Sequence, residues 1–161
     1  MKKIVLMTVI AAAISGSAFA GKGEENINKF TVEQFQEDFP QALNTNWIRE
    51  SNFSKVSFLQ GGVSLTAYYG YDSNLMGVME EETASSLPEK GLRKLEEHYP
   101  DYTIKEVVEY KDNEANSNDA LYFYEPLHEA DSYFAEISND KHTIIVQILP
   151  DGELSFFKKL N

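Results

Sequence analysis

The chain has 161 residues, 42% of them hydrophobic and 25% charged, which is enough to build one ordinary core. It has no cysteine, and this excludes disulfides, thiolate-ligated zinc, iron–sulfur clusters and a lipidated N-terminal cysteine. Its 26 acidic residues stand against 14 basic ones, and a net charge of −12 repels phosphate backbones and anionic lipid, so no nucleic acid partner is expected.

The N-terminus reads as an export signal. Met1-Lys2-Lys3 is a basic start, Ile4 to Ile14 is apolar apart from Thr8, and Ala18-Phe19-Ala20 has the A-x-A form of a cleavage site. The apolar run is about half of the roughly twenty residues that a bilayer span needs. Residues 1–20 are therefore read as a cleavable signal peptide, with a mature chain from Gly21 that does not insert into the membrane. Cleavage removes Lys2 and Lys3, leaving 12 basic against 26 acidic residues, a net charge of −14. Residues 21–29 are small and polar and read as a flexible leader.

A helix start follows. Thr31 is the expected N-cap, Gln34 completes a capping box, and Phe30 with Phe35 forms a hydrophobic staple. Val32, Phe35, Phe39 and Leu43 make the apolar stripe, and Pro40 ends the helix near Phe39. From Asn46 the period changes to two, giving strands at about 46–50, 54–60, 63–71 and 74–81. Gln60-Gly61-Gly62 and Tyr71-Asp72-Ser73-Asn74 are turns, and connections this short make an antiparallel meander. Ser86, Pro88 and Glu89 mark a second helix start; Leu92, Leu95 and Tyr99 form its stripe and Pro100 stops it. Further strands are expected at about 103–111, 120–125, 131–138, 142–149 and 153–158, with turns at Asn139-Asp140-Lys141 and Pro150-Asp151-Gly152.

The order helix, strands, helix, strands reads as a weak internal duplication. Phe39-Pro40 matches Tyr99-Pro100, and Tyr71-Asp72 with Leu75 matches Pro150-Asp151 with Leu154. The fold class expected is α+β: two helix-plus-antiparallel-sheet units, about 30–83 and 84–161, with an insertion at about 112–130. The two sheets would be continuous or side by side, with the helices packed on one face. Phe35, Phe39, Trp47, Leu92, Leu95 and Tyr99 are the expected core.

No catalytic constellation emerges. There is no G-x-S-x-G elbow and no H-E-x-x-H, and His98, His128 and His142 stand far apart in no recognisable motif. Asp112, Glu114, Asn116 and Asn118 alternate like a calcium loop, but Ser117 replaces its glycine and Phe123 its final glutamate. Glu80-Glu81-Glu82, Glu96-Glu97 and Glu125 with Glu129 and Asp131 are carboxylate clusters, read as solvated charge. No catalytic residue, cofactor or metal is assigned.

Tyrosine is the unusual feature. There are nine, including Tyr68-Tyr69, Tyr71 and the run Tyr122-Phe123-Tyr124. Strand neighbours point to opposite faces, so if Tyr69 faces the helices Tyr68 faces solvent. Tyr68, Tyr110, Tyr122, Tyr124 and Tyr133 are the candidate partner-binding residues on an open sheet face rimmed by carboxylates, since tyrosine is enriched at interfaces. Cross-strand aromatic pairing that only stabilises the sheet accounts for them equally well.

The pattern Phe39-Pro40-x-Ala42, Trp47, Leu87-Pro88 and Tyr99-Pro100-x-Tyr102 resembles the PepSY-like periplasmic family, which shares the fold of the β-lactamase inhibitor protein. The resemblance covers about residues 30–160. It implies a signal peptide, a periplasmic or secreted location, and binding, extending to inhibition, of an extracytoplasmic protein through the open sheet face. It carries over no catalytic or inhibitory residue. The β-lactamase inhibitor protein relies on disulfides that this chain lacks, and the 112–130 insertion departs from the simple repeat. The expected function is a non-catalytic exported binding protein. A small-ligand or cation-binding module using the acidic loop at 112–119 is the alternative, and a hydrolase using carboxylates ranks third.

Overall fold

The computed structural model describes residues 23–113, 121–122, 125–126 and 131–160. Two helices occur among them, α1 (Lys29–Asp38) and α2 (Glu89–His98). The strands are β1 (Leu43–Arg49), β2 (Ser54–Gln60), β3 (Val63–Tyr69), β4 (Leu75–Glu82), β5 (Thr103–Asp112), β6 (Leu121–Tyr122), β7 (Glu125–Pro126), β8 (Ser132–Ser138), β9 (Thr143–Ile148) and β10 (Leu154–Lys159). Eight of them form one sheet in the order β1-β2-β3-β4-β5-β8-β9-β10, and β6 pairs with β7 separately.

This corrects the expected pair of helix-plus-sheet units. The molecule is mostly one eight-stranded antiparallel sheet with two helices. Strands β4 and β5, which flank α2 in sequence, are neighbours in the sheet, so the hydrogen-bonded ladder runs on where two separate sheets would each leave an open edge. The short connections behave as read: β1 to β4 form an antiparallel meander, and β8 to β10 form another. Gly61 and Gly62 both have left-handed backbone, φ 62° and 86°, as the tight β2–β3 turn requires.

By Cα proximity the described residues group into two compact units. One comprises 23–80 with 111–113 and the β6–β7 residues; the other comprises 81–110 and 131–160. In the first, α1 starts earlier than its sequence indicates. Asn28 is the cap, its Oδ1 accepting from the Phe30 N–H at 3.1 Å. Thr31 lies inside the helix, buried, with its hydroxyl 2.8 Å from Ser73 Oγ. Phe30 is 71% exposed, so no staple forms. The helix ends at Asp38, before Pro40, as proline chemistry dictates. Phe35 is the hub of the core: its ring lies 5.4 Å from Phe39, 5.2 Å from Trp47, 5.1 Å from Phe58 and 6.4 Å from Tyr69. Val56 and Ala67 complete this cluster. Ile27 is buried in it as well, and the leader residue Gly23, at φ 88°, lies against β1 so closely that a Cβ would stand 2.4 Å from the Trp47 carbonyl oxygen.

In the second unit, α2 begins after Pro88, which occupies the cap position, while Ala84–Ser86 forms a 3-10 turn instead of the expected Ser86 cap. Leu87 and Leu95 pack on Val107, Ala135, Ile137, Ile144, Val146 and Ile148, with Leu92 and Tyr99 at the margin. Gly91 sits where a Cβ would fall 2.5 Å from Ile148 Cγ2. The absent side chain sets how close α2 lies to β9. Lys90 and Lys94 both pair with Glu153, at 2.9 and 2.7 Å, and tie the helix to the β9–β10 turn.

Candidate binding face

Strand alternation defines a second face in each unit, opposite the helix-covered one. In the first unit Val56, Ala67 and Tyr69 belong to the α1-side core, so Lys55, Ser57, Thr66, Tyr68 and Met79 point the other way. Tyr69 is on the α1 side as expected, fully buried, and its hydroxyl donates to Asp38 at 2.8 Å. Burial and that carboxylate hold its proton far above the usual range. Tyr68 is on the second face, also as expected, but it does not face solvent. It is 5% exposed, its hydroxyl donates to Met79 Sδ at 3.3 Å, and its ring lies 5.8 Å from Phe53. Lys55, opposite Tyr68 in the β2–β3 register, has its pKa lowered by burial, with Glu50 opposing the shift. Ser57 and Thr66 hydrogen-bond across the strands at 3.0 Å.

In the second unit Val107, Ala135, Ile137, Ile144 and Val146 face α2, so Glu106, Val108, Tyr110, Phe134, Glu136 and Ile145 form the second face. Val108, Tyr110, Phe134 and Ile145 have no exposed surface at all. Phe134 meets Phe157 edge-on at 5.0 Å. A sheet with a helix on one side only alternates apolar and polar residues. Here the second set also carries large apolar residues, and these are buried within the molecule, so the expected solvent exposure of Tyr110 does not hold.

Tyr133 takes the other side. It packs against the core cluster under α2, because its position in β8 has the parity of Ala135 and Ile137. Tyr122 ends β6, and Tyr124 lies outside the described residues. The five candidate tyrosines are thus not one patch: the structure puts Tyr68 and Tyr110 on second faces and Tyr133 on the α2 side.

Sequence reasoning missed Glu106 and Glu136. They are directly opposite one another in the β5–β8 register, and Glu136 is only 8% exposed. Glu106 Oε1 and Glu136 Oε2 are both buried with no hydrogen-bond partner. Burial raises both pKa values; Glu136 and then Glu81 raise Glu106 further, while Lys105 pulls Glu136 back. The signal was present in the strand Tyr133-Phe134-Ala135-Glu136-Ile137, where one charge interrupts an apolar run. Acid–base catalysis by a carboxyl pair needs one member ionised and the other protonated; here both are pushed upward. Neither lines either of two clefts formed by described residues. One, of about 520 Å³, is polar and runs past Asp101, Lys105, Ser138 and Lys141; the other, of about 240 Å³, is walled by Phe35, Phe39, Pro40 and Trp47 beside α1. The calcium-like alternation of 112–119 falls mostly outside the described residues. Among the described residues, no helix is long and apolar enough to cross a membrane.

No family model matches the sequence, and no curated protein matches it. Solved structures do match in fold. A DUF2874 family protein from Bacteroides uniformis superposes with a TM-score of 0.68 at 11% identity, over 83% of this chain and 90% of its own. A BLIP-like protein from Bacteroides fragilis gives 0.63 at 13% identity, over 82% and 85%. A protein from Bacteroides eggerthii described as periplasmic gives 0.66 at 10% identity, over 82% and 88%. The chain has the fold of these proteins. At such identities the likeness extends to the fold alone.

Proposed function

We propose that this is an exported, non-catalytic protein that binds another extracytoplasmic protein, with Tyr122 and Tyr124 among the contacting residues. The observation that carries the reading is the fold, which this chain shares with a BLIP-like protein and with a protein described as periplasmic. The BLIP-like and periplasmic descriptions of the structural neighbours support a binding role outside the cytoplasm, as do the A-x-A signal and the resemblance of the Phe39-Pro40 and Tyr99-Pro100 motifs to the PepSY-like family. Direct contact falls to Tyr122 and Tyr124 of the 121–126 segment.

The test is capture from native cell-envelope extract, followed by titration of the recovered protein against wild type and a Tyr122→Ala/Tyr124→Ala variant. The variant should bind at least tenfold more weakly, about 1.4 kcal/mol, as loss of an aromatic anchor does. Its melting temperature should stay close to that of wild type. Equal binding by the two proteins, or no partner at low and moderate salt, would reject the proposal.

A further inference from the structure

Glu106 of β5 and Glu136 of β8 stand directly opposite one another and point to the same side of the sheet, away from α2. Opposed residues on antiparallel strands have Cβ atoms about 4.5–5.5 Å apart, so like charges there repel across the ladder. The surroundings give little relief. Val108, Phe134 and Ile145 beside the pair have no exposed surface, and Glu136 itself is 8% exposed. Glu106 Oε1 and Glu136 Oε2 are buried and accept no hydrogen bond from the described residues. Three further charges act on this side of the unit. Glu81 of β4 adds to the repulsion at Glu106, Lys105 of β5 attracts Glu136, and Lys158 of β10 is in register with Ile145. From β9 the pair meets the uncharged Ile145, flanked by Thr143 and Gln147. One proton relieves both costs. A neutral carboxyl no longer repels its neighbour, and its O–H is a donor for the carboxylate across the strand.

We propose that Glu106 and Glu136 form a proton-held clasp: β5 and β8 pair most firmly while at least one of the two carboxyls carries a proton, and open more readily once both are ionised. The proton comes from solvent and returns to it, so the device reads the pH outside the protein and needs no ligand. Its sign follows from burial. Carboxyls that keep their protons above the ordinary 4.5 in the folded state make stability greatest below that pH, and the stability is lost as pH rises through their folded values. The Glu153 contact with Lys90 and Lys94 has the opposite sense and changes only below about pH 4.5, so the two effects occupy separate windows. Two charges opposed in one ladder also make the effect local to β5 and β8, whereas repulsion arising from the overall acidity would loosen the whole chain.

The experiment follows thermal melts and amide hydrogen exchange of the purified protein from about pH 5 to about pH 8. The melting temperature of wild type should fall by at least about 3 °C across this range. After correction for intrinsic rates, the amides of Val107 and Ala135 in β5 and β8 should quicken more than those of Val56 and Ala67 in β2 and β3. Glu106→Gln and Glu136→Gln, tested singly, should each flatten the melting profile, because the amide copies the protonated acid in shape and supplies the missing donor. In each of them the remaining carboxyl, followed by carbon NMR, should titrate at lower pH than in wild type. Glu97→Gln, at an exposed position of α2, should keep the wild-type slope. A flat wild-type profile would overturn the proposal, as would the full wild-type slope in both single variants. Equal quickening of the two pairs of amides, or equal flattening by Glu97→Gln, would overturn it too, since either marks general charge repulsion.

Discussion

Phe35 and Phe30 read alike in the sequence, as the two halves of a staple, and the structure separates them. Phe35 is 4% exposed and touches four other aromatic rings; Phe30 is 71% exposed. Truncating Phe35 to alanine removes a buried ring and leaves a cavity that Trp47, Phe58 and Tyr69 cannot fill, since each is itself held in a strand. Losses of this kind cost about 3–5 kcal/mol. For a domain of this length each kcal/mol lowers the midpoint by about 2–4 °C, so Phe35→Ala should melt about 6–20 °C below wild type. Phe30→Ala should change stability by under about 0.5 kcal/mol, because it vacates only solvent-exposed space. Urea denaturation gives both values directly, with the slope checking that the unfolded reference is unchanged. Equal losses for the two variants would mean that Phe30 is packed after all, and a loss under about 1 kcal/mol at Phe35 would refute its place at the hub.

Other predictions follow from single contacts. Gly91→Ala should destabilise by about 1–3 kcal/mol, measured by denaturant melts, because its methyl would strike Ile148. Asn28→Ala should cost about 1 kcal/mol, being the true cap of α1. Glu153 is held at a pKa of about 2 by Lys94 and Lys90, below its ordinary 4.5. Its stabilisation is therefore present above about pH 4.5 and lost as pH falls through about 2, and an acid titration of Glu153→Gln should converge on wild type there, with added salt shrinking the difference. Glu136, whose pKa is raised, has the opposite sign: Glu136→Gln should be more stable than wild type at neutral pH and lose that advantage as pH falls toward 4.5.

Turn chemistry and proline made most element limits legible. Pro40 and Pro100 stop α1 and α2 where they must, and Gly61-Gly62 sets the β2–β3 register. The caps were less legible. Thr31 has the right chemistry for a cap, but Ser73 offers its hydroxyl a partner 42 residues away, and Asn28 takes the role. Tyr68 shows the same limit: alternation gives its face correctly, yet its burial depends on Met79 and Phe53, which no local pattern reveals.

The sequence by itself determined the period of each segment, the antiparallel meanders and the aromatic core around Phe35 and Trp47, because these follow from local sterics and the alternation of side chains. Only the tertiary structure decided that β4 and β5 are neighbours in one sheet, that Tyr133 packs on the second core cluster, and that Glu106 stands opposite Glu136. Each of these depends on strand pairing between segments far apart in the chain. Register there is chosen by the summed burial of whole faces, and no single residue announces its partner.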